Sequence, residues 1–87
     1  MQQVNVKFKD VKQVEQFVKI IEKFETHFDL GSGQRVVNAK SILGVFALDL
    51  SKPLSLRYSS KDTVIIDKIQ PFIYRGGEEE FEMESAG

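Results

Sequence analysis

The sequence predicts an α+β domain in the order β-α-β-β-α-β-α, with a four-stranded antiparallel sheet covered by helices on one face and bare on the other. Three observations lead there. Short segments alternate apolar and polar residues with the period of two that marks a half-buried strand. Between them, apolar residues recur at the three- and four-residue spacing of an amphipathic helix. Finally, every strand segment is apolar on one face only, which suits an antiparallel sheet with a solvated side; a parallel sheet would be apolar on both.

The elements follow in order. In "VNVKFK", Val4, Val6 and Phe8 alternate with Asn5, Lys7 and Lys9. From Asp10 the period changes, and Val11, Val14, Phe17, Val18, Ile21 and Phe24 define a helical face opposite Lys12, Glu15, Gln16, Lys19 and Lys23. Asp10 is placed to accept a bond from a free backbone N–H of the first turn. "HFDL" is a short strand with Phe28 and Leu30 inward, Gly31-Ser32-Gly33 a hairpin turn, and "QRVVNA" the returning strand. "SILGVFAL" is a short helix capped by Ser41 and ended by Ser51-Lys52-Pro53, with Val45 and Leu48 facing the core. "LSLRY" puts Leu54, Leu56 and Tyr58 on one face, with Ser55 and Arg57 on the other. The last helix is expected from about Asp62 to Arg75, with Ile65, Ile66, Ile69, Phe72 and Ile73 inward. Pro71 should kink it at a cost of about 3 kcal/mol, and Gly76 and Gly77 should stop it.

A chain of 87 residues is one domain, and one of this size buries roughly 60 to 65% of its unfolded surface. With no cysteine, neither a disulfide nor a thiolate metal site is available. Apolar runs fall well short of the roughly 18 residues of a membrane span, so a cytoplasmic protein without membrane contact is expected. The net charge of -1 hides an asymmetry, because Glu78, Glu79, Glu80, Glu82 and Glu84 crowd the C-terminal end. Setting them aside leaves twelve basic against eight acidic residues, a body of about +4. The division is therefore a domain over residues 1–77 and an acidic tail over 78–87, expected to be disordered.

The run Phe24 to Ser60, "FETHFDLGSGQRVVNAKSILGVFALDLSKPLSLRYSS", resembles HPr, the small phosphocarrier of the bacterial sugar phosphotransferase system. Lys40, Ser41, Ile42, Leu43, Gly44 and Val45, preceded by Val37 and Asn38, match the family's segment that opens the short second helix. The resemblance extends to Gly77 and implies an HPr-like open-faced β-sandwich with sheet order 1-4-2-3. A ferredoxin-like fold is the structural alternative, since it shares the order β-α-β-β-α-β. One departure is large. Where HPr proteins carry a histidine loop before the first helix, this chain reads "KFKDVKQVEQF", without histidine, glycine or an Arg-Pro pair.

Phosphocarrier chemistry needs a neutral ring nitrogen as nucleophile, so no catalytic residue is assigned and the protein is not expected to be an enzyme. Asp10 is read as a cap, and the sole histidine, His27, as a strand-end residue. A single histidine builds no metal cluster, and no cofactor or metal is expected. The resemblance points to Ser41 as a site of regulatory phosphorylation, compatible with a phosphate at a helix N-terminus beside Lys40. With Lys40, the apolar residues Ile42, Leu43 and Phe46 are expected to form a surface for docking a protein partner. The partners implied are HPr kinase, phosphotransferase-system proteins or a transcription regulator. Two alternatives accompany this regulatory reading. One is a phosphocarrier that uses Asp10 or His27. The other is nucleic-acid binding on the bare sheet, which is disfavoured because Asn5, Lys7, Lys9, Ser55 and Arg57 include no aromatic for base stacking.

Overall fold

The local signals that predict each element also set its ends. The structure, a computed structural model, describes residues 1–76. Gly77 and the acidic tail 78–87 lie outside the described residues. Strand β1 spans Gln2–Val6, helix α1 Val11–Ile21, strand β2 Phe28–Ser32 and strand β3 Arg35–Asn38. Helix α2 spans Ile42–Phe46, strand β4 Leu54–Tyr58 and helix α3 Thr63–Lys68, followed by a 3₁₀ turn over Gln70–Phe72.

The four strands form one antiparallel sheet in the order β1-β4-β2-β3. Its register settles the faces. Val4 lies opposite Leu56 and Val6 opposite Leu54, while Leu30 pairs with both Leu56 and Val37, which puts the apolar set on one side. The other side presents Gln3, Asn5, Asp29, Gly31, Val36, Asn38, Ser55 and Arg57, without an aromatic ring. Lys7 and Lys9, expected on this bare face, lie past the end of β1 and are not part of the sheet.

Helix α1 buries Val14, Phe17, Val18 and Ile21 against the sheet, and α2 and α3 add Val45 and Ile65. Phe8, Phe17 and Phe72 form an aromatic cluster with ring centroids 5.1 to 5.9 Å apart, tying the segment after β1, the middle of α1 and the C-terminal turn together. Their edge-on and tilted packing is the arrangement that aromatic quadrupoles favour. Among the described residues no helix is long and apolar enough to cross a membrane.

Four expectations need correction. First, Val11 continues the α1 stripe in sequence but is 57% exposed, because the first turn of the helix lies outside the packed core. Second, the hairpin turn is Gly33-Gln34 alone; Gly31 and Ser32 belong to β2, and only Gly33 needs the positive φ of 61°. Third, the last helix ends at Lys68, capped by Ile69, so Pro71 falls in the 3₁₀ turn instead of a helix interior. The chain then extends alongside the edge of β1: Lys7 N–H donates to the Phe72 carbonyl at 2.8 Å, and Tyr74 N–H to Asn5 at 2.9 Å. Pairing with a strand edge replaces helical bonds that proline would have interrupted. Fourth, α3 therefore does not run on to Gly76, which lies eight residues beyond Lys68.

Candidate functional site

The turn into α2 is built by Ser41 and Asn38. Asn38 Oδ1 accepts the Lys40 N–H at 2.9 Å, and its carbonyl accepts the Ser41 N–H at 3.0 Å. Ser41 Oγ then accepts the Gly44 N–H at 3.3 Å, the N-cap bond expected from sequence. Gly44 marks a close approach. A Cβ there would stand 3.3 Å from Ser41 Oγ and 3.4 Å from Val37 Cβ, tighter than ordinary side-chain contact. The cap serine and the helix therefore sit directly against β3. Ser41 itself is exposed.

The apolar residues after it divide. Val45 and Leu48 are buried, as expected, and Ile42 is half-buried against the core instead of exposed. Leu43 is 80% exposed and Phe46 37% exposed, so the outward patch on α2 is narrower than the sequence implies. Lys40 is a further correction. Its ammonium donates to the Phe24 carbonyl just beyond α1 and lies 5.7 Å over the Phe28 ring. That carbonyl lies two residues past the C-cap of α1, at the negative end of the helix dipole, where a cation is favoured. Lys40 thus ties α1 to the turn before α2 and is not an outward docking residue.

Arg35, which sequence reasoning missed, plays the matching part at the other end of the short helix. Its Nη1 donates to the Ala47 carbonyl at 3.1 Å, satisfying an acceptor at the C-cap of α2. Nothing local in "GQRVV" signals a contact twelve residues away. Beside the site, Asp49 accepts from both Ser51 N–H and Ser51 Oγ, and these bonds hold its carboxyl below the usual aspartate pKa.

The two alternative acceptors are placed elsewhere. Asp10 Oδ1 accepts the Gln13 N–H at 2.9 Å, and Gln13 Oε1 in turn accepts the Lys9 N–H at 2.8 Å. This reciprocal pair closes the start of α1 in the manner of a capping box. His27 Nε2 lies 2.8 Å from Asp29 Oδ1 on an exposed strand end. The register places the two at opposite ends of the sheet. β4 begins at Leu54 beside Val6, which leads to Asp10, and finishes at Tyr58 beside Phe28, which follows His27.

One antiparallel sheet with its helices on a single face is the architecture of an open-faced β-sandwich. Within that class the chain has an HPr-like fold. It is similar to the crystal structure of HPr-C-His from Thermoanaerobacter tengcongensis, with a TM-score of 0.69 and 23% identity, over 82% of this chain and 89% of that one. No protein-family model matches the sequence, and no curated protein sequence matches it.

Proposed function

We propose that this chain is a relative of the phosphotransferase-system phosphocarrier that acts without phosphoryl transfer, as a regulatory protein-binding module working through the surface of α2. The observation that carries the reading is the pairing of an exposed cap, Ser41, with the outward Leu43 and Phe46 on one short helix. Leu43, 80% exposed, and Phe46, 37% exposed, stand on the same short helix and together offer an apolar patch for a partner to cover. The start of α1, where an HPr protein would carry its histidine, reads Lys9-Asp10-Val11-Lys12, and the Asp10 carboxylate is engaged as a cap. The partner is a cytoplasmic protein of the phosphotransferase or catabolite-regulation system, and Ser41 is the residue through which a kinase would control it.

Three measurements test this. Incubation with HPr kinase and ATP should label the protein and leave Ser41→Ala unlabelled; label that survives the substitution removes Ser41 from the account. Transfer from phosphoenolpyruvate through Enzyme I should give no acid-labile phosphoryl group. Its appearance, and its loss in Asp10→Asn or His27→Gln, would establish a phosphocarrier instead. Leu43→Ser should change stability by no more than about 0.5 kcal/mol, as expected at an exposed position, while weakening capture of the partner.

A further inference from the structure

The outer strands of the sheet are β1 and β3. Beyond β1 the chain itself closes the edge from Asn5 onward, with the Lys7 N–H on the Phe72 carbonyl at 2.8 Å and the Tyr74 N–H on the Asn5 carbonyl at 2.9 Å. Strand β3 has no such cover among the described residues. In an antiparallel ladder, residues that bond one neighbour alternate with residues whose N–H and C=O point the other way. The Ala39 N–H donates to the Phe28 carbonyl at 2.9 Å. Val37 and Arg35 therefore bond toward β2, in register with Leu30 and Ser32, and Val36 and Asn38 face outward.

The Asn38 carbonyl is taken by the Ser41 N–H at 3.0 Å. The Val36 N–H and carbonyl and the Asn38 N–H meet no partner among the described residues. The usual guards of an edge, a proline, a bulge or a lysine, are missing from Arg35-Val36-Val37-Asn38. Arg35 is the one charge of the strand, and its guanidinium is turned to the Ala47 carbonyl. Val36 is also 56% exposed, an aliphatic side chain on the otherwise polar face of the sheet.

We propose that β3 pairs antiparallel with β3 of a second copy, about a two-fold axis at Val36, so that one sheet runs through both molecules. In that register Val36 exchanges both backbone bonds with its own counterpart, and the two valine side chains cover each other. Arg35 falls opposite Val37 and Gln34 opposite Asn38, so no charge stands opposite a like charge. This self-complementarity is what selects a second copy as the occupant, since one strand supplies donor, acceptor and apolar cover at the same point. An axis on Val37 would instead pair Val36 with Asn38 and call on the Asn38 carbonyl that Ser41 already uses. Because the β1 edge is covered from Asn5, the pairing closes at two copies and does not grow into a fibre. An edge of four residues makes a small interface, so the dimer is weak and concentration-dependent. It uses the backbone of β3 and goes beyond the function proposed for α2.

Sedimentation equilibrium of the full-length protein from micromolar to millimolar concentration should show a monomer–dimer equilibrium. Over the same range the ¹⁵N-labelled amides of Val36 and Asn38 should shift, while those of Val4 and Leu56 inside the sheet stay in place. Val36→Lys and Val36→Glu should each raise the dissociation constant about tenfold or more, because each sets like charges opposite one another at the axis. The position is exposed, so both variants should keep close to the wild-type urea midpoint. An equimolar mixture of the two should associate again, since lysine then meets glutamate, an outcome that damage to the fold does not produce. Protein that stays monomeric at millimolar concentration, association that Val36→Lys leaves unchanged or that Leu43→Ser abolishes, growth beyond two copies, or a mixture that stays apart would each overturn the proposal.

Discussion

At the scale of the residue, the caps of α1 and α2 carry a measurable share of stability. Asp10 and Ser41 each accept a first-turn N–H of their helix, and replacing either with alanine should cost about 1 kcal/mol in urea unfolding. Ser41→Asp should cost less than Ser41→Ala, because aspartate caps about as well as serine. That pair of variants separates the cap from any modification of the hydroxyl. Tyr58 makes a second prediction. Its phenol is buried beside Phe28, at a centroid distance of 5.2 Å, and desolvation raises its pKa above the ordinary 10.0. The unfolded chain therefore ionises first as pH rises. Tyr58 contributes its full stability below about pH 10 and loses it as pH climbs through the folded pKa. Urea midpoints at pH 8 and above pH 10 should fall in the wild type more than in Tyr58→Phe.

At the scale of the element, the C-terminal segment is the informative one. Read as a single helix, it would be strained at Pro71, and Pro71→Ala would stabilise the protein by up to about 3 kcal/mol. Folded as α3, a 3₁₀ turn and a strand-edge contact, it holds Pro71 at the first positions of the turn, where proline is tolerated. Pro71→Ala should then destabilise, by about 0.4–1 kcal/mol, because the unfolded chain gains freedom. The sign of that change, measured by denaturant unfolding, decides between the two pictures. Helix α2 illustrates the other side of the same problem. Five residues are too few to be stable alone, so the helix depends on Ser41 at one end, Arg35 at the other and Gly44 pressed against Val37.

At the scale of the whole molecule, stability concentrates where distant segments meet. Phe17 is fully buried and packs on both Phe8 and Phe72. Phe17→Ala should cost about 3–5 kcal/mol, a large part of the roughly 5–15 kcal/mol of a small domain. Phe17→Leu should cost less and keep the protein folded, so that a urea midpoint can still be read. The single-sided core also shapes the surface. The strands' bare face carries no aromatic and one exposed aliphatic residue, Val36, while the other large apolar residues left exposed are spread over the first residue, the start of α1, α2 and α3: Met1, Val11, Leu43, Phe46 and Val64.

By itself, the sequence determined the inward faces of β1, β2 and β4, the short second helix and the caps of α1 and α2. These features are local: strand alternation has a period of two, and each cap bond spans three residues. The resemblance of Lys40 to Val45 and its flanks to HPr carried the sheet order as well, a feature no periodicity contains. Only the tertiary structure decided that Lys40 binds the Phe24 carbonyl, that Arg35 closes α2, that Ile42 turns partly inward and that Val11 stays outside. It also decided that the chain leaves its last helix early to pair with β1. Each of these depends on a partner far away in the chain, and the geometry that brings such partners together exists only once the sheet and helices have packed.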